Sequence, residues 1–557
     1  LSSGRETRRM KTFLSLLPAI LLAGGCLTAE TSAVSSIHDY NYAVGTQTFG
    51  SRYQFTEAPR LVETAREIHA MGSNLVKFRI SPVFREDNYS GEDPGEYASL
   101  KELASGDDAI RTVLEMPFTY YFFWVTPMQA CSWQDDDGYT RRDAETEYRE
   151  IHDLATHLLT TYAGTGKKFY FGNWEGDWLL LKGFDRTKDP TRKDIRNMIK
   201  WANNRQQAVE DARRDANVEG VAVYHYLELV LVEKGIRGLP CIATEVLPHT
   251  NVDYVSYSAY EMQNDHDLPK AMDRVLGFIE EQLPPKPEIP GPRVFVGEFG
   301  RQGNTVGPEA QRDHAVEFIQ AALQWGAPFI LWWQLYGNEV EDGEHRGYWL
   351  IDDEGKEWPL YHTFRDYYRD ARSYLVESAA RDALPSGGDF RRKAVELIDR
   401  DDRFDGTTWT HEERVTFAKE SASSWKSAGD EVSIVEGDPA ADGKHLRLAS
   451  DGRPTHWSAA SFVRDADAGQ VWQAEVKAKR LRGPLLRLRI LFQDEEGNKL
   501  RILSRTSVDS DYVPVTVTGR APEGTTEVHI VLAVEYGSPG DPVAAAMDDL
   551  ALRTGEP

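Results

Sequence analysis

The stretch KKFYFGNWEGDW, residues 167–178, decides the fold. Its first half is aromatic and apolar, and it then runs directly into Asn173, Glu175 and Asp177. A short apolar run of this kind is typical of a strand that is buried on both faces. The pattern therefore predicts a buried strand that carries polar side chains to one edge of its sheet.

Further apolar runs of the same character flank this stretch. They fall at residues 42–50, 73–81, 120–126, 219–229, 252–261, 293–300 and 328–336. Segments with apolar residues at helical spacing lie between them, among them 57–72, 147–164, 194–217 and 308–326. Strands that alternate with helices in this way, eight in number, predict an α/β fold, a (β/α)8 TIM barrel over residues 37–385. A doubly wound open sheet is the other arrangement considered, although no Gly-rich phosphate loop follows any of the strands.

The character of the chain changes after residue 385. Pro and paired Gly at 382–390, followed by a strongly charged stretch, predict a linker over residues 386–405. From 406 to 557, short runs of alternating polarity are separated by Gly, Asp and Pro turns. They predict a smaller antiparallel β-sandwich of the jelly-roll type.

The strand order of this second domain has LFQDEEGNKL in a central hairpin and AAAMDDLALR as the closing strand. It resembles that of the jelly-roll carbohydrate-binding modules appended to secreted glycosidases. The resemblance implies that some of its tryptophans stack on sugar, the candidates being Trp409, Trp425, Trp457 and Trp472. A passive packing domain would have the same pattern, with these tryptophans in its core.

Residues 1–36 are interpreted as a leader and tether. From Met10, basic residues precede an apolar run of about a dozen residues, which is too short to span a bilayer but is built like a secretion signal. Cys26 ends a segment that resembles the cleavage box of bacterial lipoproteins, so lipid attachment at Cys26 and simple secretion both remain open. Either way the sequence predicts export, as an outer-membrane or periplasmic lipoprotein or as a secreted protein.

Charge and motif content exclude several classes of function. The 557 residues include 89 acidic and 64 basic ones, and the net charge of −25 repels the phosphate backbones of nucleic acids. No cofactor or metal is expected, because the sequence lacks the HExxH or HxH spacing of zinc sites. It also lacks the GxSxG signature of a nucleophilic serine. Cys131 and Cys241 could form a disulfide in an exported protein or remain as two buried thiols.

Two glutamates end predicted strands of the barrel. Glu175 ends the fourth, and Glu298, in VFVGEFG, ends the seventh. The carboxyl ends of barrel strands form the active-site face, so both side chains are expected there. Because inward residues alternate along a strand, we expect Glu175 to share its side with Phe171, and Glu298 with Val296.

A register error of one residue would turn these glutamates away from the cavity. Three other acids, Glu228, Glu261 and Asp177, would then be the substitutes, although Asp177 is better placed to shape the loop that follows. Acids at strand ends are also commonly solvated loop residues or helix N-caps. A catalytic role is favoured because the two glutamates end the fourth and the seventh strands.

Two facing carboxyl groups are what the cleavage of a glycosidic bond requires. One must be protonated for the departing oxygen, and the other ionised for the oxocarbenium-like centre. Enclosed aromatic surroundings would raise the pKa of one, and Arg79, at the end of the second strand, would keep the pKa of the other low.

The barrel, over roughly residues 40–385, resembles the clan A glycoside hydrolases, which are retaining (β/α)8-barrel enzymes. The resemblance rests on GNWEGDW, VFVGEFG, Arg79, the Tyr260 of YSAYE and the tryptophan pair of LWWQLY. It implies that Glu298 attacks the anomeric carbon and that Glu175 protonates the leaving group and later activates water. Arg79 and Tyr260 would hold Glu298 ionised.

Further substrate contacts follow from the same resemblance. The family has an Asn directly before its acid/base Glu, whereas this chain has Trp174 there and Asn173 one residue earlier. A strand-eight tryptophan would stack on sugar, and since Trp332 and Trp333 are adjacent, only one can face the cavity. His225 either lines the sugar site or is a buried barrel histidine.

The sequence therefore predicts a secreted or lipid-anchored retaining glycoside hydrolase that acts on a poly- or oligosaccharide through two glutamates. A non-catalytic surface glycan-binding lipoprotein with a degenerate barrel is the main competing hypothesis. A barrel enzyme of another chemistry, such as a lyase, is the third.

Overall fold

The structure is a computed structural model that describes residues 40–90, 94–265, 267–399, 408–415, 426–429, 431–436, 444–450, 457–482, 485–507, 513–535 and 543–556. The predicted leader and Cys26 lie outside these residues. No helix among the described residues is long and apolar enough to cross a membrane.

The first domain is built on eight parallel strands. They are β1 (Val44–Thr46), β2 (Leu75–Ile80), β3 (Tyr120–Val125), β4 (Lys168–Gly172), β5 (Ala222–Leu229), β6 (Tyr254–Ser258), β7 (Val294–Phe299) and β8 (Ile330–Trp332). The hydrogen-bonded order runs β1-β8-β7-β6-β5-β4-β3-β2. Gln47 pairs with Lys77 beyond the end of β1, and the Thr48 amide donates to the Lys77 carbonyl at 2.9 Å. These contacts bring β1 back to β2, so the sheet closes and the predicted (β/α)8 barrel is confirmed.

Helices surround this barrel. They are α1 (Arg60–Ala70), α2 (Phe84–Asn88), α3 (Leu100–Gly106), α4 (Asp108–Glu115), α5 (Arg141–Thr161), α6 (Gly176–Leu181), α7 (Arg192–Ala216), α8 (Val232–Ile236), α9 (Ile242–Glu245), α10 (Leu268–Gln282), α11 (Gly303–Val306), α12 (Pro308–Trp325), α13 (Pro359–Ala380) and α14 (Gly387–Leu397). A small hairpin, β9 (Val340–Glu341) and β10 (Glu344–His345), follows β8. The apolar faces of the helices and the outer faces of the barrel strands form one large core among the described residues.

Aromatic rings fill the barrel interior. Phe122 on β3 lies 5.3 Å from Phe295 on β7 and 4.8 Å from Phe329 at the start of β8, measured between ring centroids. Since β3 is not a neighbour of β7 or β8 in the sheet, these rings meet across the inside of the barrel. Tyr170 on β4 stacks on Phe122 in the same cluster. The even-numbered residues of β3 and β4 and the odd-numbered residues at the starts of β7 and β8 therefore face inward.

This arrangement corrects the facing predicted for two strands. Phe171 and Val296 belong to the outer core with the helices, and Tyr170 and Phe295 take the inward positions instead. The predicted linker needs a correction as well, because residues 387–397 form α14. Phe390 and Ala394 of that helix are buried in the barrel's outer core.

The second domain consists of two antiparallel sheets. Its strands are β11 (Thr408–Val415), β12 (Lys426–Gly429), β13 (Glu431–Glu436), β14 (Lys444–Ser450), β15 (Trp457–Asp465), β16 (Val471–Arg482), β17 (Leu485–Gln493), β18 (Lys499–Ser507), β19 (Val513–Arg520), β20 (Glu527–Glu535) and β21 (Val543–Glu556). One sheet has the order β13-β14-β21-β16-β19 with β11 also paired to β21, and the other has β12-β15-β20-β17-β18. The described residues of this domain share an apolar core that includes Trp472, so the predicted sandwich is confirmed. Trp409 is 36% exposed, and the side chains of Trp425 and Trp457 lie outside the described part of the chain.

The two domains meet through ion pairs. Arg487 on β17 donates to Asp267, the N-cap of α10, at 3.3 Å, and both side chains are buried. Arg501 on β18 pairs with Asp313 of α12 at 2.6 Å, and Arg505 pairs with Asp399. The sandwich is thus docked on the barrel helices through buried charge.

We expect Arg487→Met to lower the free energy of unfolding by about 3 kcal/mol, because the change leaves the Asp267 carboxylate buried without its cation. Chemical denaturation of the full chain measures this loss. Arg489→Met is the matched control, since Arg489 lies on the same strand but bonds Ser504 within the sandwich. Equal losses in both variants would contradict a special contribution from the Arg487 contact.

Candidate active site

Glu175 lies just beyond the carboxyl end of β4. The strand ends at Gly172, and Glu175 occupies the N-cap position of α6, with only 8% of its surface exposed. A Cβ at position 172 would come within 2.1 Å of the Tyr226 ring, so this close approach requires glycine. The irregular turn after Gly172, rather than strand alternation, directs Glu175 to the site.

Glu298 reaches the same site from β7. The pairing of β7 is irregular on both sides, between Tyr257 and Ser258 toward β6 and between Val296 and Phe299 toward β8. An irregularity of this kind re-aims side chains, and it brings Glu298 to the interior although Val296 faces outward. Glu298 is 3% exposed, and the Tyr260 hydroxyl donates to its Oε2 at 3.2 Å.

A third glutamate, Glu228 on β5, lies between these two and is fully buried. Its Oε1 accepts the backbone amide of Glu175 at 3.1 Å. Its Oε2 accepts the Ser256 hydroxyl at 2.7 Å and the Lys77 ammonium at 3.1 Å. The sequence offered Glu228 only as a substitute for a register error, yet the structure places it among the predicted pair.

Lys77 on β2 is the cation of this cluster. Its Nζ lies 3.1 Å from Glu228, 3.8 Å from Glu298 Oε1 and 3.0 Å from the carbonyl oxygen of Gly297. It also lies 4.7 Å from the centroid of the Trp124 ring. Gly297 also allows β7 to lie close to Ser256 on β6, because a Cβ at position 297 would come within 1.7 Å of the Ser256 hydroxyl.

The pKa values of the two predicted catalytic groups reflect this enclosure. Burial, and then the charge of Glu228, raise the pKa of Glu175 to about 7, against the opposing hydrogen bond from the Trp178 indole. Burial and Glu228 raise the pKa of Glu298 well above its usual range, and Lys77 and the Tyr260 hydroxyl oppose this rise. Glu298 therefore has a cation and a donor that favour its ionised form, and Glu175 lies beside two further acids.

Arg79 is not the cation beside Glu298. Its guanidinium pairs with Asp87 of α2 at 3.0 Å, and 28% of its side chain is exposed. The cation beside Glu298 is instead Lys77, which lies two residues earlier on the same inward face of β2. The sequence signal was available, because Lys77 is, with Arg79, one of two charged residues inside the otherwise apolar run LVKFRI.

Three more predicted contacts lie away from the substrate space. The Asn173 amide donates to the Glu228 carbonyl at 3.3 Å and its oxygen accepts the Glu228 amide at 3.2 Å, so Asn173 holds β4 to β5. His225 is fully buried on the outer side of β5, near Arg205, and neither ring nitrogen has a partner among the described residues. Trp332 is fully buried and packs against Phe299 in the outer core.

Trp333 is the inward member of the tryptophan pair. Its ring lies 5.5 Å from Phe49 and 6.0 Å from Trp124 inside the barrel. Its indole donates to Glu339 at 2.9 Å. The prediction that one tryptophan faces the cavity and the other packs under a helix agrees with these contacts.

Aromatic residues also surround Glu175. Trp178 donates from its indole to Glu175 Oε2 at 2.7 Å. The Phe184 ring packs edge-on against Trp174 at 6.1 Å and lies 5.6 Å from Trp178. Phe184 itself is 71% exposed, so the three rings form an apolar ledge that opens to solvent beside Glu175.

The remaining candidate acids have structural partners. Asp177 accepts the backbone amides of Val230, Leu231 and Ile242 at 2.8–3.0 Å, which fixes the loop after β5. Glu261 accepts the Glu233 amide at 3.1 Å. No group of three or more metal-ligating side chains occurs among the described residues. Cys131 and Cys241 are free thiols.

No family model matches the sequence, and no curated protein is detectably similar to it. Solved structures give matches. The chain is similar to a family 39 glycoside hydrolase from Bacteroides cellulosilyticus WH2, with 11% identity over 89% of this chain and 82% of that one and a TM-score of 0.40. The CBM22-1 xylan-binding domain of Paenibacillus barcinonensis Xyn10C matches 27% of this chain over 97% of its own length, with 11% identity and a TM-score of 0.22. The enzymatically active domain of bacteriophage CBA120 tailspike protein 4 matches 24% of this chain, which spans 19% of that protein, with 16% identity and a TM-score of 0.20.

Proposed function

We propose that this protein is a retaining glycoside hydrolase that cleaves O-glycosidic bonds of a poly- or oligosaccharide. The observation that carries the proposal is the cluster of Glu175 and Glu298 at the carboxyl ends of β4 and β7. The Glu298 side chain lies 3.8 Å from Lys77, the Glu175 backbone amide donates to Glu228 at 3.1 Å, and Lys77 and Glu228 form a buried ion pair. In this mechanism the two carboxyl groups should stand about 5–5.5 Å apart.

Glu298 would act as the nucleophile. Its carboxylate attacks the anomeric carbon, a glycosyl–enzyme ester forms, and the bond to the leaving oxygen breaks. Lys77 and the Tyr260 hydroxyl favour the ionised Glu298 that this attack requires. Trp333, on the inward face beyond β8, would pack against the sugar ring.

Glu175 would act as the acid and then the base. A pKa of about 7 keeps much of its population protonated near neutral pH, so it can donate a proton to the departing oxygen. The same group, once ionised, removes a proton from the water that hydrolyses the ester. The Trp178 indole holds the carboxyl group in place during both steps.

The proposal also includes export. The apolar segment before Cys26 supports a secreted or lipid-anchored protein, which would meet polysaccharide outside the cytoplasm. We further propose that the sandwich binds carbohydrate, which would raise the local concentration of the barrel on a polymer.

A screen of the purified full chain on plant, algal and microbial polysaccharides tests the proposal, with Glu298→Ala as the inactive control. Release of reducing ends that is absent from the control supports hydrolysis. Proton NMR of the first products should show the retained anomer. Binding of oligosaccharide without release of reducing ends would favour the glycan-binding protein, and an unsaturated product would identify a lyase.

The ledge beside Glu175 leads to a prediction about the leaving group. The acid contacts the leaving oxygen, so the departing sugar lies next to Trp174 and Phe184. We expect Phe184→Ala to lower kcat/KM on the best oligosaccharide by about tenfold, through loss of one aromatic contact. Val376→Ala, which removes an exposed apolar side chain from α13, should leave kcat/KM unchanged. Equal rates for Phe184→Ala and the unmodified protein would exclude the ledge from the binding site.

A further inference from the structure

We infer that Lys77 and Glu228 are positioning residues that join the two catalytic glutamates and set which of them carries the proton. The inference rests on the proposed function for its catalytic meaning. Neither residue can touch substrate, because both side chains have no exposed surface. Their effect must therefore act through Glu175 and Glu298.

Glu228 divides its two oxygens between the two sides of the site. Oε1 binds the backbone amide of Glu175 and so fixes the turn that presents the proposed acid. Oε2 binds Ser256 of β6 and Lys77 of β2. Three donors from three different segments thus converge on one carboxylate, and moving it would move Glu175.

Lys77 extends this connection to the proposed nucleophile. Its Nζ is fixed by Glu228 and by the Gly297 carbonyl, the residue directly before Glu298. At 3.8 Å from Glu298 Oε1 it stabilises the ionised carboxyl group without a short hydrogen bond. The ammonium is therefore shared, with its closer contact on Glu228.

The charges around this pair are unequal for the two catalytic groups. The titratable side chains that face or influence Glu228, Glu175 and Glu298 include the last two of these acids themselves. They are Lys77 on β2, Tyr226 on β5, Glu298 on β7, Asp177 on α6, Glu175 in the turn after β4 and Tyr260 in the turn after β6. After burial, the Glu228 charge is the largest cause that raises the pKa of both Glu175 and Glu298. Lys77 lowers the pKa of Glu298 and is not among the main influences on Glu175. Burial and Glu228 leave the pKa of Glu298 well above its usual range, and the contact with Lys77 is what distinguishes the two groups, in favour of a charge on Glu298.

Stability alone gives little reason for such a pair. Replacing a buried ion pair with apolar side chains of similar volume is often neutral or stabilising, whereas removing one partner is costly. A double substitution therefore separates folding from charge. If the pair served packing alone, an uncharged pair would serve equally well.

The test uses Glu228→Gln, Lys77→Met and the double variant of both in the full chain. Potentiometric titration of each protein, minus that of the same protein with Glu175→Gln, reports proton binding at Glu175 without any substrate. We expect the Glu228→Gln change to lower the pKa of Glu175 by about 1 unit, because a like charge nearby is removed. Lys77→Met should leave the Glu175 titration in place, and the double variant should reproduce the shift of Glu228→Gln.

The pH dependence of kcat/KM on a substrate from the screen gives the second readout. Its basic limb reports the group that must be protonated and its acidic limb the group that must be ionised. Glu228→Gln should move both limbs to lower pH by about 1 unit, and Lys77→Met should move the acidic limb to higher pH by about 1 unit. Glu280→Gln changes a partly buried glutamate that holds the start of β7; it is the control and should move neither limb.

An unmoved Glu175 titration in both Glu228→Gln and the folded double variant would overturn the inference. A uniform loss of kcat at all pH values, with both limbs in place, would also overturn it and assign the pair to packing. If the unmodified protein hydrolyses nothing, the proposed function fails while the titrations still decide whether Glu228 controls the proton on Glu175.

Discussion

The Glu298→Gln variant is expected to lose hydrolysis by about 10⁶-fold in kcat, the scale on which removal of a covalent nucleophile acts in other hydrolases. The substitution preserves the size of the side chain and an oxygen that can accept the Tyr260 hydroxyl. It removes the charge that attacks the anomeric carbon. The loss should therefore arise in chemistry rather than in folding or in substrate binding.

Steady-state and burst-phase kinetics on the best substrate measure this effect. Glu280→Gln is the matched control, because Glu280 is a partly buried glutamate that accepts backbone amides at the opposite end of the same strand. Oligosaccharide should still bind to Glu298→Gln with a similar Kd. Activity within tenfold of the unmodified protein would exclude Glu298 as the nucleophile, and Glu228, which has no exposed surface, would not be a ready substitute.

The Glu175→Gln variant has the second largest expected effect, a loss of about 10²–10⁴-fold in kcat on oligosaccharides. The loss should be much smaller on aryl glycosides whose leaving group departs without a proton. In the unmodified protein, kcat/KM should fall as the pH rises through about 7, since the acid must be protonated. That basic limb should disappear in the variant, and a basic limb that persists unchanged would assign the acid to another residue.

The same substitution should change stability with a definite sign. Because burial and Glu228 raise the pKa of Glu175 from 4.5 to about 7 in the folded protein, the free energy of unfolding falls as the pH rises between these values. Glu175→Gln removes that cost. It should be no more stable than the unmodified protein at pH 4 and more stable by about 3 kcal/mol at pH 8. Equal stability at both pH values would mean that Glu175 is not held protonated by its surroundings.

The sequence predicted the architecture well, for reasons that can be assigned to particular segments. Runs such as YYFFWV and VFVGEF are too apolar to be exposed on either face, and Gly or polar residues bound them. Helical spacing between the runs then leaves few arrangements other than a closed parallel sheet. The sandwich fold of the second domain was equally predictable, because alternation in segments such as LLRLRILFQ predicts one buried and one exposed face.

Site residues were predicted less completely. Tyr260 contacts Glu298, and Glu228 and Lys77 connect Glu298 to the backbone of Glu175. Arg79, His225 and Trp332 do not contact the two glutamates in the described structure. Lys77 was missed although it interrupts an apolar strand. A charged residue in such a run gives no indication of its partner, since Glu228 is 151 residues further along the chain.

The sequence by itself determined that eight buried strands alternate with helices and that two of them end in glutamate. Only the tertiary structure decided which way those glutamates point. Simple alternation predicts Phe171 and Val296 on the inward side with them, and both lie in the outer core instead. The turn after Gly172 and the irregular pairing of β7 re-aim Glu175 and Glu298, and such departures depend on the fit between neighbouring strands, as at Gly172 against Tyr226. That fit is a property of the packed barrel, and no local stretch of sequence encodes it alone.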